Sequence, residues 1–526
     1  MARSPDFDLA AALAQPNFTP AQKDVGALVE LVARGDERAP AALAGLGERA
    51  RGELIARLER ETDEAAHARI VSALGLLARR GDAIATARVI DTLAHASPRV
   101  RRAAISALGK LAGDHAAIAD ARAALLARWD AGDVTADERR ALAEALGKLG
   151  GDDALARLRA LDPAGDAELA RRRDRALLIA HRTAQRDAAD ESSVRDDVAP
   201  LAPITVLLHC KAGLAELLVD ELKAHAIAAR ALVHDRVELV LAAPWRTLWA
   251  SRLWSLGALV VPRPPGELAE SVTRGIVAAR PLLAAWTRGP IRWRLDVPHG
   301  KQRAIVWRVA RDVTAAAPEL VNDPTETTWD IAPRDGVIEL RPRKLADPRF
   351  AYRVADIPAA SHPTIAAALA FVAGARAADR VWDPFAGSGL ELIERAKLGP
   401  VRSLAGTDLA PAALDAARAN LAAAGVHAEL VRGDSRAAAG TRDLDLAITN
   451  PPLGSRVQLD APRLLGELLP VIARRLARGG RLVWITPAPR HTGPIAERAG
   501  LRCALSRPID LGGVTGQLER WDQVRT

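Results

Sequence analysis

Cysteine is nearly absent, with Cys210 and Cys503 the only two in 526 residues. Two such thiols build neither a disulfide framework nor a Cys-rich zinc site, and a reducing cytoplasm is the compartment that usage suits. The eleven histidines show no H-x-x-x-H or other ligand spacing, so no metal is expected. No apolar run reaches the ~18 residues of a membrane-spanning helix. The opening Met1-Ala2-Arg3-Ser4-Pro5-Asp6 leads into no signal-peptide core. What is present is ordinary for folded protein, 49% apolar and 26% charged. The length calls for several domains.

The net charge of +8 is unevenly spread. Residues 1–199 carry 30 basic and 32 acidic side chains, a net of −2, whereas residues 200–359 and 360–526 each carry +5. A basic excess confined to the last two thirds suits a polyanionic partner, because clustered Lys and Arg gain affinity by releasing counterions from phosphates. An arginine-rich composition without any such partner gives the same count.

The first third repeats itself. Ser72-Ala73-Leu74-Gly75-Leu76-Leu77 returns as Ser106-Ala107-Leu108-Gly109-Lys110-Leu111 and as Glu144-Ala145-Leu146-Gly147-Lys148-Leu149, at offsets of 34 and 38 residues. Gly81-Asp82, Gly113-Asp114 and Gly151-Asp152 follow the copies and read as a helix stop and restart. The pattern resembles HEAT-type repeats, which implies an α-solenoid over residues 21–185 and a surface for a protein partner rather than chemistry. Residues 186–202 are polar and read as a linker.

Beyond it strands and helices alternate. Ile204–Leu208 and Arg236–Leu241 read as strands and Leu214–His225 as a helix. Ile291 to Val297 alternates strictly, which predicts Trp293 on a buried face and Arg292 and Arg294 on an open one. Seven of eleven tryptophans lie between Trp245 and Trp329 among arginines. Such aromatics serve either base stacking or a core.

From Asp379 onward the order is that of a doubly wound α/β domain. A strand ending at Asp383 enters Pro384-Phe385-Ala386-Gly387-Ser388-Gly389, where glycines let backbone amides approach a ligand at a helix N-terminus. The next strand ends at Asp408, 19 positions after Gly389, where a ribose diol is gripped. A dinucleotide site wants a third glycine, and Leu392 occupies that place. Asp383 suits an ammonium group and repels a pyrophosphate, so S-adenosylmethionine is the expected cofactor. Asp434 ends a third strand, positioned for an adenine amino group.

The fourth strand delivers Asn450-Pro451-Pro452-Leu453. A planar amine is a poor nucleophile because its lone pair is delocalised. If the Asn450 oxygen and the Pro451 carbonyl each accept an N–H, the nitrogen is held with its lone pair turned toward an electrophile. The prolines stiffen the backbone and remove competing donors.

These segments resemble the amino methyltransferases that act on exocyclic nitrogens. With Ser361-His362-Pro363-Thr364 upstream, and Arg341-Pro342-Arg343 and Arg349 to Arg353 before that, the chain from about residue 203 resembles THUMP-containing RNA guanine-N2 methyltransferases. The resemblance implies a ferredoxin-like and THUMP RNA-binding module over 203–350 and a Rossmann-like class I methyltransferase domain over 351–526. It implies S-adenosylmethionine-dependent methylation of an exocyclic amine in RNA, guanine N2 of tRNA foremost. The residues expected at the cofactor are Thr364, Asp383, Phe385, Gly387, Ser388, Gly389, Asp408, Leu409, Asp434, Ser435 and Asn450. Catalysis falls to Asn450, Pro451, Pro452 and Leu453, and RNA contact to Arg292, Arg294, Lys301, Arg303, Arg341, Arg343 and Arg353. The family carries Tyr or Phe where Leu453 stands, and a leucine forgoes base stacking worth ~1–3 kcal/mol. Two alternatives remain: a protein glutamine-N5 methyltransferase, to which the Asn-Pro-Pro geometry applies equally, and a catalytically degenerate RNA-binding or assembly protein.

Overall fold

The computed structural model describes residues 8–15, 18–111, 115–187, 191–297, 302–334, 336–358, 360–440, 442–452, 460–511 and 513–524. The chain forms two compact units. One comprises Met1–Glu191, Gly266–Val277 and Gly300–Glu326, and the other Ser192–Pro265, Ala278–His299 and Thr327–Thr526.

The first unit is helical through Asp187. Asp63 and Asp82 cap helices Glu64–Ala78 and Ala83–Asp91, each side chain accepting a backbone N–H of the first turn. Thr135 and Glu138 form a reciprocal capping box at the start of Ala136–Leu149. Gly81, at φ +91°, ends one helix as Asp82 starts the next, and Gly151 precedes helix Asp152–Ala160. Gly113 and Asp114 lie outside the described residues.

The repeated Ala-Leu-Gly has a packing cause. A Cβ placed on Gly109 would stand 2.7 Å from the Ala145 Cβ; Gly75 faces Ala107 and Gly147 faces Ala176 more closely still. Each glycine therefore lets the next helix in by receiving an alanine, that of the following copy for Gly75 and Gly109 and Ala176 for Gly147. The same helices share a buried ion pair. Arg101 grips Glu138 in a fork, with N···O distances of 2.6 and 2.9 Å, and Arg128 adds a third contact at 3.1 Å. Burial opposes the Glu138 charge, but these guanidiniums and the Thr135 hydrogen bonds prevail and hold the carboxyl down at about 2.

Two helices expected in the RNA module, Leu268–Ala278 and Arg303–Ala316, belong largely to this first unit. Arg175 lies over the Trp307 ring at 4.9 Å, and Arg308 pairs with Glu267 at 3.1 Å. The expected linker is also partly structured, since Ser193–Val194 pairs antiparallel with Thr287–Arg288.

In the second unit, a sheet runs in the spatial order Ala229–Val233, Arg236–Leu241, Ile204–Cys210, Trp254–Pro262, Val337–Pro342, Trp329–Pro333, Ile291–Leu295. Neighbours are antiparallel except the last two, which are parallel. That parallel strand is where alternation misleads: Ile291, Arg292 and Trp293 are all buried, as strands covered on both faces are. Five of the seven tryptophans between Trp245 and Trp329 are core, and Trp249 and Trp307 are half-buried. Trp245, Trp286, Trp293 and Trp329 are fully buried, and Trp249 and Trp254 stack on each other at 5.4 Å beneath Arg349.

The C-terminal sheet comprises β1 (Arg380–Asp383), β2 (Ser403–Asp408), β3 (Glu429–Arg432), β4 (Leu444–Thr449), β5 (Leu476–Thr486), β6 (Leu501–Asp510) and β7 (Thr515–Gln523), in spatial order 3-2-1-4-5-7-6. Strands β1 to β5 are parallel, and β7 is antiparallel to both its neighbours. Strand order reverses beside β1, which opens a crevice at the carboxyl edge between β1 and β4. Asp379, just before β1, is buried between Arg395 of helix Leu390–Lys397 and Arg481 of β5, each 2.8 Å away, tying both to the start of β1.

Candidate active site

A cavity of about 670 Å³ opens at that carboxyl edge. The parallel register aligns the ends of β1, β2 and β4, so the loop after β1, Asp408 and Asn450 reach one rim. Of the expected residues, Phe385, Gly387, Ser388, Asp408, Leu409, Asp434, Ser435, Asn450, Pro451 and Pro452 line it. Leu453 lies outside the described residues.

Gly387 turns the loop at φ +49°, a conformation that favours glycine, and its N–H donates to Asp408 Oδ2 at 2.9 Å. Asp408 Oδ1 accepts the Ala410 N–H at the same distance, so the carboxylate is fixed before any ligand arrives. Asp434 is engaged differently. Arg436 pairs with it at 2.7 Å and bridges to Glu467 at 2.6 Å, so this carboxylate reaches a ligand only with the capacity Arg436 leaves it.

Three expected cofactor residues stand behind the wall rather than on it. Asp383 is fully buried and shapes the loop, its Oδ1 accepting the Phe385 N–H at 2.9 Å. Burial and the neighbouring Glu391 carboxylate push it well above the usual range. Thr364 is buried, with its hydroxyl 2.7 Å from His362 Nδ1. Gly389 is a packing residue, since a Cβ there would stand 3.2 Å from the Ala417 Cβ. His362 both lines the cavity and caps helix Pro363–Ala373. Burial, with Lys211, Arg353 and Arg349 nearby, lowers it to about 4, which keeps Nδ1 an acceptor.

Asn450 is the most informative side chain. Its Nδ2 donates to Ser361 Oγ at 2.9 Å, and Ser361 in turn donates to Glu391 Oε1. Its Oδ1 is buried and has no donor among the described residues. An orphaned buried acceptor on a residue that lines the cavity fits a ligand that brings an N–H group. Ser361 and Glu391 were not separable from ordinary sequence: an acidic residue in a first helical turn reads as a macrodipole partner. Burial pushes Glu391 up to about 7.

One lining residue comes from the upstream sheet. Lys211 follows Ile204–Cys210, and Ala212 beside it accepts the Asp510 N–H of β6 at 3.0 Å. The expected RNA-contacting arginines fare less well. Arg292 is buried, and Arg341 is held by Glu339 at 2.6 Å and Asp296 at 2.9 Å. Arg294 pairs with Asp330 at 2.6 Å and Arg353 with Asp356 at 2.8 Å. Arg343 stays more than half exposed, 3.6 Å from Asp330. Arg303 is exposed at the start of its helix, and Lys301 lies outside the described residues. Alternation was a poor guide because Arg292 is buried and nearby carboxylates pair with most of the others.

Residues 351–516 match the family model described as an RMKL-like methyltransferase domain. They form a methyltransferase domain. The chain is 30% identical over 180 residues to a tRNA (guanine(10)-N2)-dimethyltransferase of Methanothermobacter thermautotrophicus, covering 33% of this chain and 51% of that one. It is 32% identical over 177 residues to a ribosomal protein L11 methyltransferase of Geobacter sulfurreducens, covering 34% and 52%. The chain thus spans about half the length of the curated relatives it matches. In structure it is similar to TrmN from Thermus thermophilus, with TM-score 0.50 and 23% identity, over 61% of this chain and 100% of that one. The methyltransferase domain holds the cavity's Gly loop, Asp408 and Asn450, while Lys211 enters from outside the matched segment.

Proposed function

We propose that this protein methylates an exocyclic base amine in RNA, guanine N2 in tRNA being the favoured acceptor, with S-adenosylmethionine as methyl donor. The observation that carries the reading is the buried, unpartnered Asn450 Oδ1 on the cavity wall, with its amide nitrogen already committed to Ser361. The donor's residues would be the Phe385–Ser388 loop, Asp408 and Leu409, with Asp434 and Ser435 at the far end. When bound, S-adenosylmethionine supplies an electrophilic sulfonium methyl.

The protein's part is positioning. Asn450 Oδ1 accepts one N–H of the planar amine, and the stiff Pro451-Pro452 segment fixes where that oxygen stands. As positive charge grows on nitrogen the hydrogen bond strengthens, so the interaction favours the transition state over the ground state. No base is required before attack, because the proton leaves the nitrogen afterwards. Lys211, with no hydrogen bond or ion pair to a side chain among the described residues, offers an ammonium to a phosphate beside the target base. The upstream sheet is read as the THUMP-type RNA module, and the N-terminal helices, packed through their Gly–Ala contacts, as HEAT-like repeats that receive a protein partner.

The likeness to ribosomal protein L11 methyltransferases supports a second reading, in which a protein nitrogen is the acceptor. One experiment separates the two: purified protein, methyl-labelled donor, and total RNA or ribosomal protein as acceptor, followed by nucleoside and peptide mass spectrometry. Label in N2-methylguanosine is the expected result. Label in protein alone supports the second reading, and label in neither removes both.

A further inference from the structure

We infer that Ser361 and Glu391 are positioning residues that lock the Asn450 carboxamide in one orientation, its nitrogen held and its oxygen kept free for a ligand N–H. The inference rests on the methyltransferase reading above and assigns a role to two residues outside the Asn-Pro-Pro motif.

A carboxamide is nearly symmetric in shape, so which end faces the cavity is decided by its hydrogen-bond partners. Here the decision starts at Glu391. Its carboxylate is buried at the start of helix Leu390–Lys397 and needs a donor, which Ser361 supplies through its hydroxyl hydrogen. That hydroxyl has one hydrogen. Once it is committed to Glu391, Ser361 Oγ meets Asn450 only as an acceptor, and only the amide nitrogen suits it at 2.9 Å. Asn450 Oδ1 is therefore left to face elsewhere, buried and unpartnered.

The flipped amide would require Ser361 to donate to Asn450, which strips the buried carboxylate of its donor and aims two N–H groups at an amine that has only N–H groups to offer. The chain of three side chains thus joins the segment before helix Pro363–Ala373, the helix after the glycine loop, and the end of β4. It presets an acceptor where the reaction needs one. Preorganisation of this kind lowers the barrier without contact between Ser361 or Glu391 and the reacting atoms.

The test uses the full chain at pH 8, where Glu391 is ionised, with total RNA and labelled methyl donor. Ser361→Ala and Glu391→Gln are expected to lower kcat by about 10- to 100-fold, with donor affinity by calorimetry and KM for RNA within about threefold. Ser361→Thr, which keeps the hydroxyl, is expected to retain most of the rate. In an Asn450→Ala background Ser361→Ala and Glu391→Gln should cost nothing further, because the group they orient is gone; damage through unfolding would add instead. Glu391→Gln guards against a folding failure of Ser361→Ala, since it keeps shape and can donate to Ser361 in the wrong sense. If Asn450→Ala is slow while Ser361→Ala and Glu391→Gln both run at the wild-type kcat, or if they cost as much without Asn450 as with it, the inference is overturned and the methyltransferase reading stands. A fully active Asn450→Ala overturns the reading itself.

Discussion

Single side chains decide both chemistry and acid tolerance. The place of Asn450 at the cavity was legible in the sequence, because it follows an apolar strand of the α/β pattern. Glu391 and Ser361 were not, because the signal is their meeting in space, 30 residues apart. The same limit hid Glu138, a plain capping-box glutamate in sequence that proves to be the buried partner of Arg101 and Arg128. Its carboxyl is held at about 2, below its unfolded value, so its contribution is full above about pH 4.5 and is lost as pH falls toward 2. Glu138→Gln should therefore lower the thermal midpoint at pH 7, and the gap to wild type should narrow between pH 4.5 and pH 3. A gap independent of pH would show that the charge is not what the pair uses.

Elements meet where glycine or paired charge allows them to. Gly147 lies inside helix Ala136–Leu149, and Gly52 inside Gly47–Leu58. Propensity alone favours alanine at both by ~1 kcal/mol. Space separates them, since a Cβ at Gly52 meets nothing within 4 Å while one at Gly147 overlaps the Ala176 backbone. Gly52→Ala should raise the urea midpoint, and Gly147→Ala should lower it, with the unfolding free energy reduced by the ~1–3 kcal/mol typical of overpacking. Two increases would refute the packing account of the repeat. In the C-terminal sheet, Asp379→Ala leaves Arg395 and Arg481 buried without their anion, a loss of about 3–5 kcal/mol measurable by denaturant unfolding. The repeat was legible as a period, and its glycines found a reason once the facing alanines were seen. The strict alternation from Ile291 failed because that strand is covered on both faces.

Across the whole molecule, the order of strands and helices was readable but the grouping was not, because Leu268–Ala278 and Arg303–Ala316 sit largely in the helical unit although they lie between strands of the other. The sum of charge was readable, but its pairing was not, since neighbouring carboxylates hold most of the expected arginines. Lys211 lines the cavity together with Arg436 and Arg463, and it is the one of the three with no carboxylate partner among the described residues. Lys211→Ala should weaken RNA binding across sequences and reduce the slope of log affinity against log salt by about 1. An unchanged slope would remove phosphate contact from its role. The central claim concerns Asn450, and its most direct test compares single-turnover methyl transfer to RNA by wild type and Asn450→Ala, with donor affinity measured in parallel. The predicted result is a loss of about 100-fold or more in rate with donor affinity nearly unchanged. Equal rates from the two proteins would contradict it.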